Sequence, residues 1–142
     1  MSKDNAKIVR EVEKRFIASL KVAKRTTQNS VIVAMVGLVG SDRGLVARAL
    51  APFIGAAVIS ADEIRLALRK RGQGYGAVRS IAEQAALAVI ARGGNVIVDS
   101  DFVDRTKRDS LERRAKNVGI RVAYLRTLCD PDVAIGRLAA AT

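Results

Sequence analysis

Residues 6–20 (AKIVREVEKRFIASL) place Val9, Val12, Phe16 and Leu20 at helical spacing, with Lys7, Glu11, Lys14 and Arg15 between them. An apolar stripe recurring every three to four residues predicts an amphipathic helix with one face on a core. The polar residues 24–30 then read as a loop. From Val31 the pattern changes: VIVAMV is a continuous apolar run, rich in β-branched side chains and closed by glycines. Unbroken rather than alternating hydrophobicity predicts a strand covered on both faces, as in parallel sheets flanked by helices.

Three later segments repeat that run, at residues 56–59, 96–98 and 120–125. Helical stretches separate them at residues 43–54, 61–71, 76–92 and 104–118, the third marked by Val78, Ile81, Ala85 and Val89 and the fourth by Leu111, Ala115 and Val118. A last helix is expected to begin near Asp130 or Pro131. Strand and helix alternate, which predicts a three-layer α/β domain with a mostly parallel central sheet and helices on both faces. In such domains ligands gather beyond the carboxyl ends of the strands. The expected organisation is an N-terminal helix and linker over residues 1–30, then one α/β domain over residues 31–142. Glycines mark the junctions, and three of them at residues 72, 74 and 76 make a loop that is either a long turn or a cover over a ligand.

Composition narrows the chemistry. The 142 residues carry 25 Lys and Arg against 14 Asp and Glu, a net charge of +11. Residues 1–30 hold eight of the cations and three of the acids, so +5 of the excess sits at the front. A basic chain favours anionic partners such as nucleotides, nucleic acid or a membrane surface, without choosing among them. There is no histidine and one cysteine, Cys129, which sets aside histidine-based triads, zinc sites and an intrachain disulfide. No apolar run approaches the length of a membrane span and the charged N-terminus is not a secretory signal, so a cytoplasmic protein is expected. Aromatic residues make up 4% of the chain, with no stacking series and no zinc-finger spacing, so charge supports only salt-sensitive nucleic-acid binding.

Gly37-Leu38-Val39-Gly40-Ser41-Asp42-Arg43-Gly44 follows the first buried run and precedes a helix. There, glycines let backbone N–H groups converge on phosphates, and the helix N-terminus adds favourable potential. The phosphate-loop pattern is glycine, four residues, glycine, lysine, then serine or threonine. Here Asp42 replaces the second glycine, Arg43 the lysine and Gly44 the hydroxyl. Asp42 puts a carboxylate beside a polyphosphate, Arg43 keeps the charge in a larger planar fork, and Gly44 removes a magnesium ligand. A phosphate-binding loop and a structural glycine turn both remain open.

After the second run comes Ser60-Ala61-Asp62-Glu63-Ile64-Arg65. Ser60 or Asp62 can cap the next helix; alternatively Asp62 takes a proton from a substrate hydroxyl while Arg65, one turn on, clamps an anion. The third run ends in Asp99-Ser100-Asp101, where a carboxylate can hold magnesium or simply begin a turn. Arg105, Arg108, Arg126 and Arg137 can bind phosphate or form a basic helix surface.

In order, VIVAMVGLVGSDRGLVARALAPFIGAAVISADEIR, the helix ending at Gly93-Gly94, and Asn95-Val96-Ile97-Val98-Asp99-Ser100-Asp101-Phe102 with Arg105 resemble the P-loop kinases related to zeta toxins, chloramphenicol phosphotransferase and the kinase domain of polynucleotide kinase. The resemblance spans about residues 31–138 and implies a P-loop NTPase-like fold. It implies ATP at Gly37 through Gly44, Asp62 as base toward the accepting hydroxyl, and substrate binding by Arg65 and Arg105. It also implies that Asp99 organises magnesium and phosphate, and that the γ-phosphoryl group passes to a small molecule, nucleotide sugar or nucleic-acid end.

Arg43 and Gly44 make the Walker A loop degenerate, which predicts a strongly reduced or absent activity. Family members continue past Arg137 into a lid and a fifth strand, so the chain is expected to be part of a longer enzyme or one half of an oligomer. The rival expectation is a non-catalytic scaffold that binds a protein or nucleic acid through residues 1–25 and the basic helices. Retained Asp62, Arg65 and Asp99 favour the enzyme; Asp42, Gly44 and the short C-terminus favour the scaffold.

Overall fold

The computed structural model describes residues 2–37 and 42–127. Elements run α1 (Lys3–Ser19), β1 (Val31–Val36), α2 (Arg43–Ile54), β2 (Ala56–Ser60), α3 (Ala61–Lys70), α4 (Val78–Ala91), β3 (Asn95–Asp99), α5 (Arg105–Asn117) and β4 (Arg121–Arg126). The four described strands form one parallel sheet in the order β2-β3-β1-β4. The chain therefore leaves β1 toward β2, returns to fill the gap with β3, and crosses to the other side of β1 for β4. That reversal opens a crevice at the carboxyl ends of β1 and β3. Leu38, Val39, Gly40 and Ser41 of the glycine loop, Cys129, Arg137 and the helix expected near Asp130 lie outside the described residues.

The two faces of the sheet bury different partners. Ile32, Ala34, Ile59, Val96 and Val98 point into a large core shared with α3, α4 and α5. Val33, Met35 and Ile97, the alternate positions, meet Ala47 and the inner side of α2. Three layers result, as the unbroken apolar runs require. Val12 and Phe16 of α1 belong to the larger core, so α1 packs over α3 and α4 as part of the same body. It starts at Lys3, earlier than its apolar spacing predicts, because the Ser2 hydroxyl accepts from the Asn5 N–H at 3.1 Å.

The fourth strand departs from expectation. Its sequence reads as covered on both faces, yet no residue of β4 is buried, and Arg121, Tyr124 and Arg126 are exposed. Among the described strands β4 is an outer one, paired with β1 alone. The Tyr124 phenol donates to the Glu112 carboxylate of α5. Partial burial, and then that carboxylate, push its pKa well above the ordinary value.

Asn95 anchors the opposite, amino-terminal edge. It is fully buried; its Oδ1 accepts from the Val31 N–H at 2.9 Å, and its Nδ2 donates to Thr27 Oγ1 and the Ile54 carbonyl, each at 2.9 Å. One side chain thus ties the start of β3 to the start of β1, the end of α2 and the loop after α1. Gly55 ends α2 at φ 63°, where any Cβ would collide with the Lys24 carbonyl.

The loop of residues 71–77 is held to α1. Arg71 Nη2 donates to Glu11 Oε2 at 2.9 Å and Gln73 Nε2 to Asn5 Oδ1 at 3.3 Å.

We expect Asn95→Ala to cost about 3 kcal/mol in urea denaturation, because it removes the partner of the Val31 N–H and of the Thr27 hydroxyl and one of the two donors to the Ile54 carbonyl; a loss under about 1 kcal/mol would show that the anchor is dispensable. The hydrogen bond from Arg71 holds the Glu11 carboxyl below its ordinary 4.5. A depressed carboxylate adds stability above the unfolded value and loses it as the pH falls through the folded one. The stability difference between the wild type and Glu11→Gln should therefore be largest near neutral pH and shrink as the pH falls below the ordinary value of 4.5 in parallel urea titrations.

Candidate functional site

Parallel pairing sets all the strand exits on one edge. Ala34 is level with Val98 and Ser60 with Asp99, so Gly37, Asp99 and the Ser60–Asp62 corner share that edge. The first turn of α2 opens onto the same place. Its N-cap, Asp42, stands in the left-handed region at φ 59°, ψ 28°, and its carbonyl accepts from the Val46 N–H at 3.0 Å. Glycine takes that conformation without penalty, whereas Asp pays about 1 kcal/mol.

Arg43 is turned inward across this edge. Its Nε donates to Asp99 Oδ1 at 2.7 Å and its Nη1 to the Gly37 carbonyl at 3.0 Å. The two side chains are 20% and 11% exposed, so water screens the pair weakly. Gly44 faces the same carboxylate: a Cβ there would lie 3.1 Å from Asp99 Oδ2 and 3.3 Å from Arg48 Nη1. One guanidinium thereby links the exit of β1, the start of α2 and the exit of β3.

The second corner is separate. Ser60 caps α3 by accepting from the Glu63 N–H at 3.3 Å, and Arg65 Nη1 donates to Asp62 Oδ1 at 2.7 Å. Asp62 is 83% exposed, so this pair is open to solvent. Arg65 also lines a cavity of about 250 Å³ between α3, α4, α5 and the end of β3.

Not every sequence-selected cation joins the edge. Arg105, 86% exposed at the start of α5, lies 3.7 Å from Asp109 and does not line the cavity. Arg108 donates to the Phe102 and Val103 carbonyls and so secures its own turn. Asp101 accepts from the Val103 N–H at 3.0 Å, the role of a turn former.

The cavity brings in residues that sequence reasoning passed over, Arg79, Glu83 and Lys107, beside Tyr75 and Gly76 of the glycine-containing loop and Ser100 after β3. One signal was present for Glu83, a lone carboxylate among the apolar positions of α4. Among the described residues no group of three or more acidic or cysteine side chains could hold a metal ion, and no helix is long and apolar enough to cross a membrane.

A parallel 2-3-1-4 sheet with a glycine loop after β1 and the next helix starting over its exit is the α/β fold of the P-loop kinases. The chain belongs to the AAA domain family (AAA_33), whose profile matches residues 32–141. Solved structures agree on the fold. A chain of the PezAT chromosomal toxin-antitoxin system of Streptococcus pneumoniae has a TM-score of 0.71 at 15% identity, over 95% of this chain and 60% of that one. The APS kinase CysC of Mycobacterium tuberculosis, in complex with AMPPNP and APS, has a TM-score of 0.59 at 19% identity, over 82% of this chain and 75% of that one. A gluconokinase from Sinorhizobium meliloti 1021 has a TM-score of 0.53 at 19% identity, over 82% and 67%. No curated protein matches the chain.

A double-mutant cycle on Arg43→Ala and Asp99→Asn measures the bridge. We expect a coupling of about 1–3 kcal/mol in thermal or urea unfolding, the range for charged partners in contact with little water between them. A coupling below about 0.3 kcal/mol would mean that the pair does not form in solution.

Proposed function

We propose that this chain is a kinase-like nucleotide-binding protein that takes ATP at residues 37–44 and transfers its γ-phosphoryl group to a hydroxyl only weakly. The observation that carries this reading is the Arg43 bridge to Asp99 and Gly37. Phosphoryl transfer relies on free positive charge against the phosphates and on a metal between them. Here the loop's one cation is neutralised by the carboxylate that the family resemblance assigns to magnesium, and Gly44 offers no hydroxyl. The donor set around Asp99, a guanidinium and a glycine without a hydroxyl, does not fit a magnesium ion.

What remains is a loop of glycines before α2, a helix start that favours an anion, and an acid at the second corner. In the reaction the acceptor oxygen would bond to the γ-phosphorus as the bridge to ADP breaks, with the hydroxyl proton passing to the Asp62 carboxylate. Arg65, bonded to Asp62 and lining the cavity, would steady the acceptor. Arg105 would reach phosphate only by leaving its exposed place beside Asp109. The closed Arg43 bridge equally favours a second reading, a scaffold that keeps the fold without turnover and binds a protein or nucleic-acid partner through the basic outer side of residues 1–25.

Calorimetric titration of ATP with and without magnesium separates the two. The wild type should bind with little help from magnesium and lose binding in Arg43→Ala, because removing the guanidinium leaves the Asp99 carboxylate unpaired beside the phosphates. The triple variant Asp42→Gly, Arg43→Lys, Gly44→Ser should gain at least about tenfold in affinity with magnesium, the weight of one charge-assisted hydrogen bond. Absence of heat from all variants would leave the scaffold; steady wild-type turnover with ordinary magnesium dependence would overturn the reduced activity.

A further inference from the structure

The outer side of α1 carries a row of cations with nothing set against it. Lys3, Lys7, Arg10 and Lys14 recur at intervals of four, three and four residues, which on a helix makes one stripe. All four are exposed, and none has an ion-pair partner among the described residues. Asp4 and Glu11 lie on one flank of the stripe and Glu13 on the other. Glu11 is taken up by Arg71 at 2.9 Å, with the charges of Lys7 and Arg15 also acting on it, so that flank is basic as well.

The stripe stands on a fixed body. Val12 and Phe16, on the opposite side of the helix, are buried in the larger core, so the cations are presented without further ordering of the chain. Because α1 ends at Ser19, ahead of the family-matched residues 32–141, this charge lies apart from the phosphate loop of the shared module.

Partners of a cationic helix face differ in what else they require. A protein interface needs an apolar centre from which lysine is depleted, whereas three of these four cations are lysines and the apolar side chains of α1 face inward. A lipid surface takes in the apolar face of a helix, and here that face is already packed over α3 and α4. A nucleic-acid backbone asks only for regularly placed positive charge. From Lys3 to Lys14 the helix advances about 16 Å. Over that length one strand of a duplex presents about five phosphates, close to one for each cation.

We infer that the outer face of α1 docks on the phosphate backbone of a nucleic-acid duplex without reading its bases. Lys3, Lys7, Arg10 and Lys14 replace counterions along one strand, and their release drives the association. The inference rests on the scaffold reading above, whose partner it names, and it is independent of whether ATP is turned over.

The test is binding of the full chain, without ATP, to a labelled duplex DNA of ~20 base pairs, by fluorescence anisotropy over a salt series. Two unrelated sequences should bind alike, with Kd below about 10 µM at ~50 mM salt and a slope of log K on log salt of about −3 to −4, the value for four phosphates. The combined variant Lys7→Gln, Arg10→Gln, Lys14→Gln keeps good helix formers; it should bind at least about tenfold more weakly and flatten the slope by about 2–3. Removing the same charge from α5 and β4, by Arg113→Gln, Lys116→Gln, Arg121→Gln, should change the affinity less than about twofold.

Equal losses in the two variants would reduce the effect to net charge and overturn the assignment. So would a tenfold preference between the two sequences, no duplex binding at ~100 µM, or binding to phosphatidylserine vesicles in place of the duplex. ATP binding without duplex binding would remove this inference and leave the nucleotide reading. Heat from neither ATP nor duplex would remove it too and leave the scaffold a protein partner.

Discussion

The parallel register of β1 against β3, with Ile32 level with Val96 and Ala34 with Val98, is the constraint from which the rest of the molecule follows. It places the exits of two strands, more than sixty residues apart in sequence, side by side at the point where the connections reverse direction. Arg43 and Asp99 meet only because of it. So do the two apolar faces: once β1 and β3 are paired in that register, Ile32 and Val96 face the larger core while Val33 and Ile97 face α2. A slip of one residue would turn both sets to the wrong side.

The sheet is fixed differently at its two edges. At the amino-terminal edge Asn95 satisfies backbone and side-chain groups from three elements and leaves no polar atom of its own without work. At the carboxyl edge an ion pair does the joining, and a charge used there is withdrawn from any phosphate. Asp42, held at positive φ at the start of α2, adopts a backbone conformation that glycine takes freely.

The cavity beside α4 repeats the contrast between what a helix needs for packing and what it carries. Ile81, Ala82, Ala85, Ala86 and Val89 would make α4 a purely structural element. Glu83 interrupts them with a carboxylate only half provided for by Arg114. A residue placed for stability alone would be apolar at that position.

Periodicity in the sequence determined the elements and their type, since a strand buried on both faces and a helix buried on one leave different repeats. The strand over residues 31–36 and the helix over residues 43–54 are read to the residue, and Val12 and Phe16 are read as core. The glycine loop, Asp62 and Asp99 were also legible as candidates, because each directly follows a buried run. Periodicity misjudged β4, whose apolar letters do not say that it lies outermost among the described strands with its side chains half open to water.

Only the tertiary structure decided the pairings: that Arg43 closes on Asp99, that Arg105 stays outside with Asp109, and that Glu83 enters a cavity with Arg79 and Lys107. Local spacing encodes which face of an element is buried. Which charge meets which depends on contacts between residues 30 to 60 positions apart, as Glu83 with Arg114 and Arg43 with Asp99, and these exist only once the sheet has ordered its strands.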